Sequence, residues 1–223
     1  MNVRPTETAE REVRIAIGAE GAILGNLRVP SAARGLVIFA HGSGSSRLSP
    51  RNRYVAEVLE RAGLATLLID LLTAHEEAID RRDARFRFDI ELLAERLVLA
   101  KSHVRAWPET AVLPVGYFGA STGAAAAIVA SARTSGEIAA VVSRGGRPDL
   151  AGDALGHVDA PTLLIVGGAD PVVIELNEEA MRRMSNAPVE LAIVPGATHL
   201  FEEPGTLEEV AQLARDWFLR HFR

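Results

Sequence analysis

Cysteine is absent from the 223 residues. That excludes disulfides, a thiolate metal site and a cysteine nucleophile. No histidine–carboxylate cluster has the spacing of a metal site, so no metal is expected. An excess of positive charge is also missing: the formal net charge is −5. The chain therefore carries no electrostatic footprint for nucleic acid or an anionic membrane. Long apolar runs are lacking too. The longest, from Leu113 to Ala130, is interrupted by Pro114 and by glycines in its first half, and reads as strand, turn and helix rather than a membrane span. The stretch Met1 to Glu12 is polar, with no secretory h-region, and a cytoplasmic protein is the expectation. No repeat, low-complexity tract or long linker divides the chain, so residues 1–223 read as a single domain.

Within the 113–130 stretch, Gly119-Ala120-Ser121-Thr122-Gly123 follows a short buried strand and precedes an alanine-rich helix. A G-x-S-x-G pentapeptide in that setting has the pattern of a nucleophile elbow. The serine backbone must take a strained conformation, and side chains at Gly119 or Gly123 would block the close approach of the turn. Glycine-rich turns between strand and helix also serve structure alone, so the remainder of the chain has to decide.

Upstream, Glu12–Ile17 and Ala22–Val29 alternate polar and apolar residues around a turn at 18–21, an antiparallel hairpin. Gly35–Ala40 is a buried strand leading into the loop His41-Gly42-Ser43-Gly44-Ser45-Ser46. Ser49 and Pro50 open a helix ending at Gly63, and Leu64–Ile69 is a further strand. The charged residues 71–86 read as a solvated loop or short helix, and Asp89 caps a long helix from Ile90 to about Arg105. Downstream, strands at 138–143, 161–166 and 189–194 alternate with helices at 174–184 and 207–222. Such alternation predicts an α/β fold, a mostly parallel sheet flanked by helices on both faces.

Ligands bind such sheets beyond the carboxyl ends of the strands. Ser121, Asp170 and His199 each follow a strand end, in the chain order tied to an elbow serine. A serine hydroxyl needs a base, and an imidazole of ordinary pKa near 6.5 suits that task. In this reading His199 takes the proton of Ser121 and returns it to the leaving group, while Asp170 fixes its tautomer. The backbone N–H groups of Thr122 and Ser43 are the expected oxyanion hole. Taken singly, Asp170 before Pro171 is a natural helix cap and His199 an ordinary loop histidine; their joint order gives them weight. His41 is expected to organise its turn. Arg144 and Arg147 follow a strand end and are candidate contacts to a substrate carboxylate, the bland alternative being pairing with Asp149 or Asp153.

These residues resemble the α/β-hydrolase superfamily over nearly the whole chain. The connection between Ser143 and Pro161 is too short for an inserted cap, which looks most like the dienelactone hydrolase-like branch. The resemblance implies about eight strands, the second antiparallel to its neighbours, and Ser121, Asp170 and His199 as the triad. It also implies hydrolysis of esters or lactones without a cofactor. Two positions depart from that branch, which uses a cysteine nucleophile and a glutamate after the third strand, where this chain has Ser121 and Gly42-Ser43. A serine esterase acting on small substrates is the expectation, as a monomer or weak homodimer. A hydrolase of phosphotriesters or amides and a non-catalytic ligand-binding protein are the alternatives. Some relatives of this branch are fused to a phosphoribosyltransferase domain, of which these 223 residues show no sign.

Overall fold

A computed structural model describes residues 9–18 and 21–222. Two expectations from sequence fall partly outside these: the polar stretch up to residue 8, and residues 19 and 20 of the first turn. Eight strands form one sheet in the order β1-β2-β4-β3-β5-β6-β7-β8. The hairpin of β1 (Arg11–Ala16) and β2 (Ala22–Arg28) closes antiparallel with Ala16 opposite Ala22. β2 is also antiparallel to β4 (Ala65–Ile69), and every later pairing is parallel. The interior strands β3 (Leu36–Ala40), β4, β5 (Val115–Ala120), β6 (Ala140–Arg144) and β7 (Thr162–Gly167) are buried at every position. That explains their largely apolar sequences, since helices cover both faces.

Alternation along β3 sends Leu36, Ile38 and Ala40 to one core and Val37 and Phe39 to the other. The first core is closed by α3 (Ile90–Arg105) and α4 (Thr122–Arg133), the second by α1 (Pro50–Arg61) and α6 (Thr206–His221). Helix starts follow the expected caps. Ser49 accepts from the amide of Asn52, and Asp89 from that of Leu92. The charged segment after β4 is α2 (Ala74–Asp83), entered through a reciprocal capping box between Thr73 and Glu76. It is not wholly solvated: Asp80 is buried and Glu76 pairs with the buried Arg96 at 2.8 Å. Between β6 and β7 lies a 3-10 stretch, Pro148–His157, where the sequence pattern shows only a connection. The last two parallel units are α5 (Pro171–Arg183) and β8 (Val189–Val194). Among the described residues no helix is long and apolar enough to cross a membrane.

Candidate active site

β5 delivers Ser121 to the carboxyl end of the sheet, between β3 and β6. Its backbone sits at φ 52, ψ −120, a conformation L residues avoid. Two contacts show why glycine flanks it. A Cβ on Gly119 would fall on Ala124, 2.6 Å from its amide nitrogen and from the oxygen of Gly123. A Cβ on Gly123 would meet the end of β3, 2.5 Å from the oxygen of Ala40. Gly123 thus packs against the end of β3 on one side, while its carbonyl oxygen lies against Gly119 on the other. The strained turn is held from outside: the amide of Ser121 donates to Arg144 O and the amide of Arg147 donates to Ser121 O, both at 3.2 Å.

His199 and Asp170 come together from the ends of β8 and β7. Nδ1 of His199 lies 2.9 Å from Oδ2 of Asp170. Asp170 occupies the N-cap position of α5 but makes no side-chain capping bond. Its carboxylate is turned to the imidazole instead. A carboxylate only accepts, so Nδ1 carries the proton and Nε2 keeps its lone pair. The loop bearing His199 is braced by Glu203, which accepts from the amide of Thr198 at 3.1 Å and from its hydroxyl at 2.6 Å. Beneath it lies the fully buried ring of Phe201, whose residue has φ 55. Gly145 allows this approach. A Cβ there would stand 3.0 Å from His199 O, and φ is +50.

On the opposite side of Ser121 runs the loop after β3. His41 is buried; its Nε2 accepts from the amide of Leu71 at 3.1 Å and its Nδ1 donates to Gly42 O at 2.9 Å. Burial lowers its pKa, against the opposing pull of the Gly42 bond, and the ring is a neutral strut joining two strand-end loops. It sets Gly42 where a Cβ would be 3.1 Å from that of Ser121. Among the described residues, neither the amide of Ser43 nor that of Thr122 donates to a backbone oxygen across these turns. Their hydroxyls lie 3.1 Å apart. Both residues line a small cavity with Leu71, Leu72, Leu93, Glu77 and Arg87.

Arg144 and Arg147 touch the elbow through backbone atoms, while their side chains lead elsewhere. Arg147 forms a two-bonded pair with Asp149, at 2.9 and 2.8 Å. Arg144 is buried, donates to Asn52 Oδ1 at 3.2 Å and lies over the ring of Phe201. Burial, and then the nearby Arg51, push its guanidinium down to about 10, so it stays charged at neutral pH. Sequence reasoning missed Asn52, and nothing in a helix asparagine announces such a contact.

A groove of about 600 Å³ lies beyond Gly44, between the 44–50 loop, β2 and the start of α2. It includes neither Ser121 nor His199, but shares His41, Gly44, Leu72 and Glu77 with the cavity beside Thr122. Arg47 shapes its wall by an ion pair with Asp70, whose Oδ1 also accepts from the Arg47 amide at 2.8 Å. Among the described residues no group of three or more histidine, aspartate or glutamate side chains is placed to hold a metal ion.

Known proteins share this fold. A solved dienelactone hydrolase from Anabaena variabilis is 58% identical, with a TM-score of 0.94 over 97% of this chain and 100% of that one. Est1E from Butyrivibrio proteoclasticus, 16% identical, shares the fold with a TM-score of 0.77 over 94% of this chain and 98% of its own. So does a dienelactone hydrolase-like promiscuous phosphotriesterase from metagenomic libraries, 20% identical, at 0.71 over 96% of this chain and 99% of its own. Two Mycobacterium tuberculosis proteins, provisionally named as phosphoribosyl transferases, are 60% identical over 212 residues. That match takes in 95% of this chain but 46% of theirs, so the chain spans about half the length of these curated relatives. The sequence model of the dienelactone hydrolase family matches residues 23–222, and the chain belongs to that family.

Proposed function

We propose that the protein is a serine hydrolase of small carboxylic esters or lactones, working through an acyl-enzyme on Ser121. The observation that carries this reading is the Asp170–His199 bond beyond the ends of β7 and β8, at the same carboxyl edge of the sheet as an elbow serine with φ 52. His199 Nε2 takes the Ser121 proton as Oγ attacks the carbonyl, and returns it to the leaving alcohol. Water then repeats the cycle on the acyl-enzyme. Asp170 holds the tautomer and stabilises the imidazolium. The amides of Thr122 and Ser43 receive the developing oxyanion. Thr122 is the first residue of α4, so the helix N-terminus adds its positive end. Removal of one such donor typically costs about 3 kcal/mol of transition-state stabilisation.

Among the described residues no inserted cap encloses the site. The same serine, base and anion hole suit a phosphotriester, the activity by which one distant structural neighbour is named. Matched p-nitrophenyl carboxyl and dialkyl phosphoryl esters decide between them. The proposal expects kcat/KM to be larger for the carboxyl ester; the reverse order would reassign the protein to phosphoryl transfer.

A further inference from the structure

The hydroxyls of Ser43 and Thr122 meet beside the elbow. Oγ of Ser43 lies 3.1 Å from Oγ1 of Thr122, bridging two loops 79 positions apart in the chain. The two residues are unequal. Thr122 is buried at the first position of α4, locked to the strained elbow. Ser43 is exposed and flanked by Gly42 and Gly44, the latter at φ +67 with open space around it. A serine between two glycines has a loosely defined backbone unless something ties it down. His41 anchors the loop on one side, through Gly42 O. The hydroxyl bridge anchors it on the other.

Two hydroxyls that share one hydrogen bond use one of their two protons and leave the other free. Thr122 Oγ1 is buried and has no second partner among the described residues, whereas Ser43 is exposed. The arrangement that leaves the fewest groups unsatisfied has Thr122 donating to Ser43 Oγ. The Ser43 O–H is then free to turn to a substrate oxygen held at the Ser43 and Thr122 amides.

We infer that the Ser43 hydroxyl is a third donor to the oxyanion, beside the two amides, and that the Thr122 hydroxyl is the positioning group that aims it. This rests on the serine-hydrolase reading above. No bond to hydrogen breaks: the proton stays on Ser43 Oγ and strengthens its contact as negative charge grows on the substrate oxygen. Such a donor acts on the transition state more than on the bound ester, so its removal lowers kcat and leaves KM nearly unchanged.

The test compares wild type, Ser43→Ala, Thr122→Val, Thr122→Ser and the double variant Ser43→Ala/Thr122→Val. Readouts are p-nitrophenyl acetate hydrolysis, the rate of Ser121 labelling by a fluorophosphonate, and the thermal midpoint. Ser43→Ala keeps the amide at 43, and its kcat and labelling rate should fall about 10- to 100-fold with KM within about twofold. Thr122→Val should fall less, Thr122→Ser should recover most of that loss, and the double variant should be no slower than Ser43→Ala, the mark of two groups acting as one. Unchanged thermal midpoints would separate this from a folding defect. A Ser43→Ala enzyme within twofold of wild type in both rates overturns the inference, and so does additivity in the double variant. A Ser121→Ala control keeps the two claims apart. Its loss of turnover beside an unimpaired Ser43→Ala overturns the third donor alone, whereas retained turnover removes the serine-hydrolase reading and the donor with it.

Discussion

Ser121 is the residue at which stability and the proposed activity pull apart. Its φ of 52 is unfavourable for any side chain with a Cβ. The flanking contacts of Gly119 and Gly123 hold it there. Glycine at 121 would relieve the strain without disturbing the neighbours. Ser121→Gly should therefore raise stability by about 1 kcal/mol in urea unfolding while abolishing ester turnover. A variant less stable than wild type would show that the elbow is not strained in solution. Asp170 makes a similar point without strain. A cap position whose carboxylate leaves the helix unassisted and turns to an imidazole is oriented by the site rather than by the helix.

Among the elements, the α2–α3 connection depends on one buried carboxylate. Asp80 accepts from the amides of Phe86 and Arg87 at 2.8 and 2.9 Å and from the guanidinium of Arg87 at 2.7 Å. Burial pushes its carboxyl up, but these bonds together outweigh it and hold the pKa below the ordinary 3.8. The folded state thus binds its proton less readily than the unfolded chain. The stabilisation is complete above pH 3.8 and is lost as pH falls below it. Asp80→Ala leaves two amides and most of a guanidinium unpaired, and should cost roughly 2–3 kcal/mol at neutral pH. Unfolding curves for the two proteins should converge as the pH is lowered past that value; a gap that stays constant would assign the loss to packing.

The same segment shows what was legible in the sequence. Strands and helices with regular patterning stood out: Asp89 as a cap, Ser49-Pro50 as a helix start, and the apolar runs that became β3 to β7. So did the approach of Asp170 to His199, because chain order and strand ends sufficed. The role of Asp80 did not, since one acid in a run of charged neighbours looks solvated until Arg87 folds back over it. Arg144 was hidden for the opposite reason. An arginine at a strand end reads as a substrate contact, and only packing against Asn52 and Phe201 shows where its side chain goes.

At the scale of the molecule, the large apolar side chains exposed among the described residues are Leu48, Phe88, Val112, Val172, Ile193 and Leu200. Leu48, Val172 and Leu200 belong to the segments that follow the carboxyl ends of β3, β7 and β8. Val172 is two residues from Asp170 and Leu200 is next to His199. On the proposed ester-hydrolase reading, these two side chains favour esters whose acyl chain extends past the carbonyl. Leu200→Ser should raise KM for p-nitrophenyl butyrate several-fold and leave that for the acetate nearly unchanged, since burying a methylene or two against leucine contributes about 1 kcal/mol. An equal change for both esters would place Leu200 outside the acyl path.

The central claim is that Ser121 and His199 work as one unit. Turnover of p-nitrophenyl acetate and butyrate by wild type, Ser121→Ala and His199→Ala, with fluorophosphonate labelling alongside, tests it most directly. Both variants should fall to similarly low residual rates, and labelling should vanish with Ser121. Undiminished turnover in Ser121→Ala, or a folded wild type that takes no label, would contradict the account and leave a hydrolase fold used for binding.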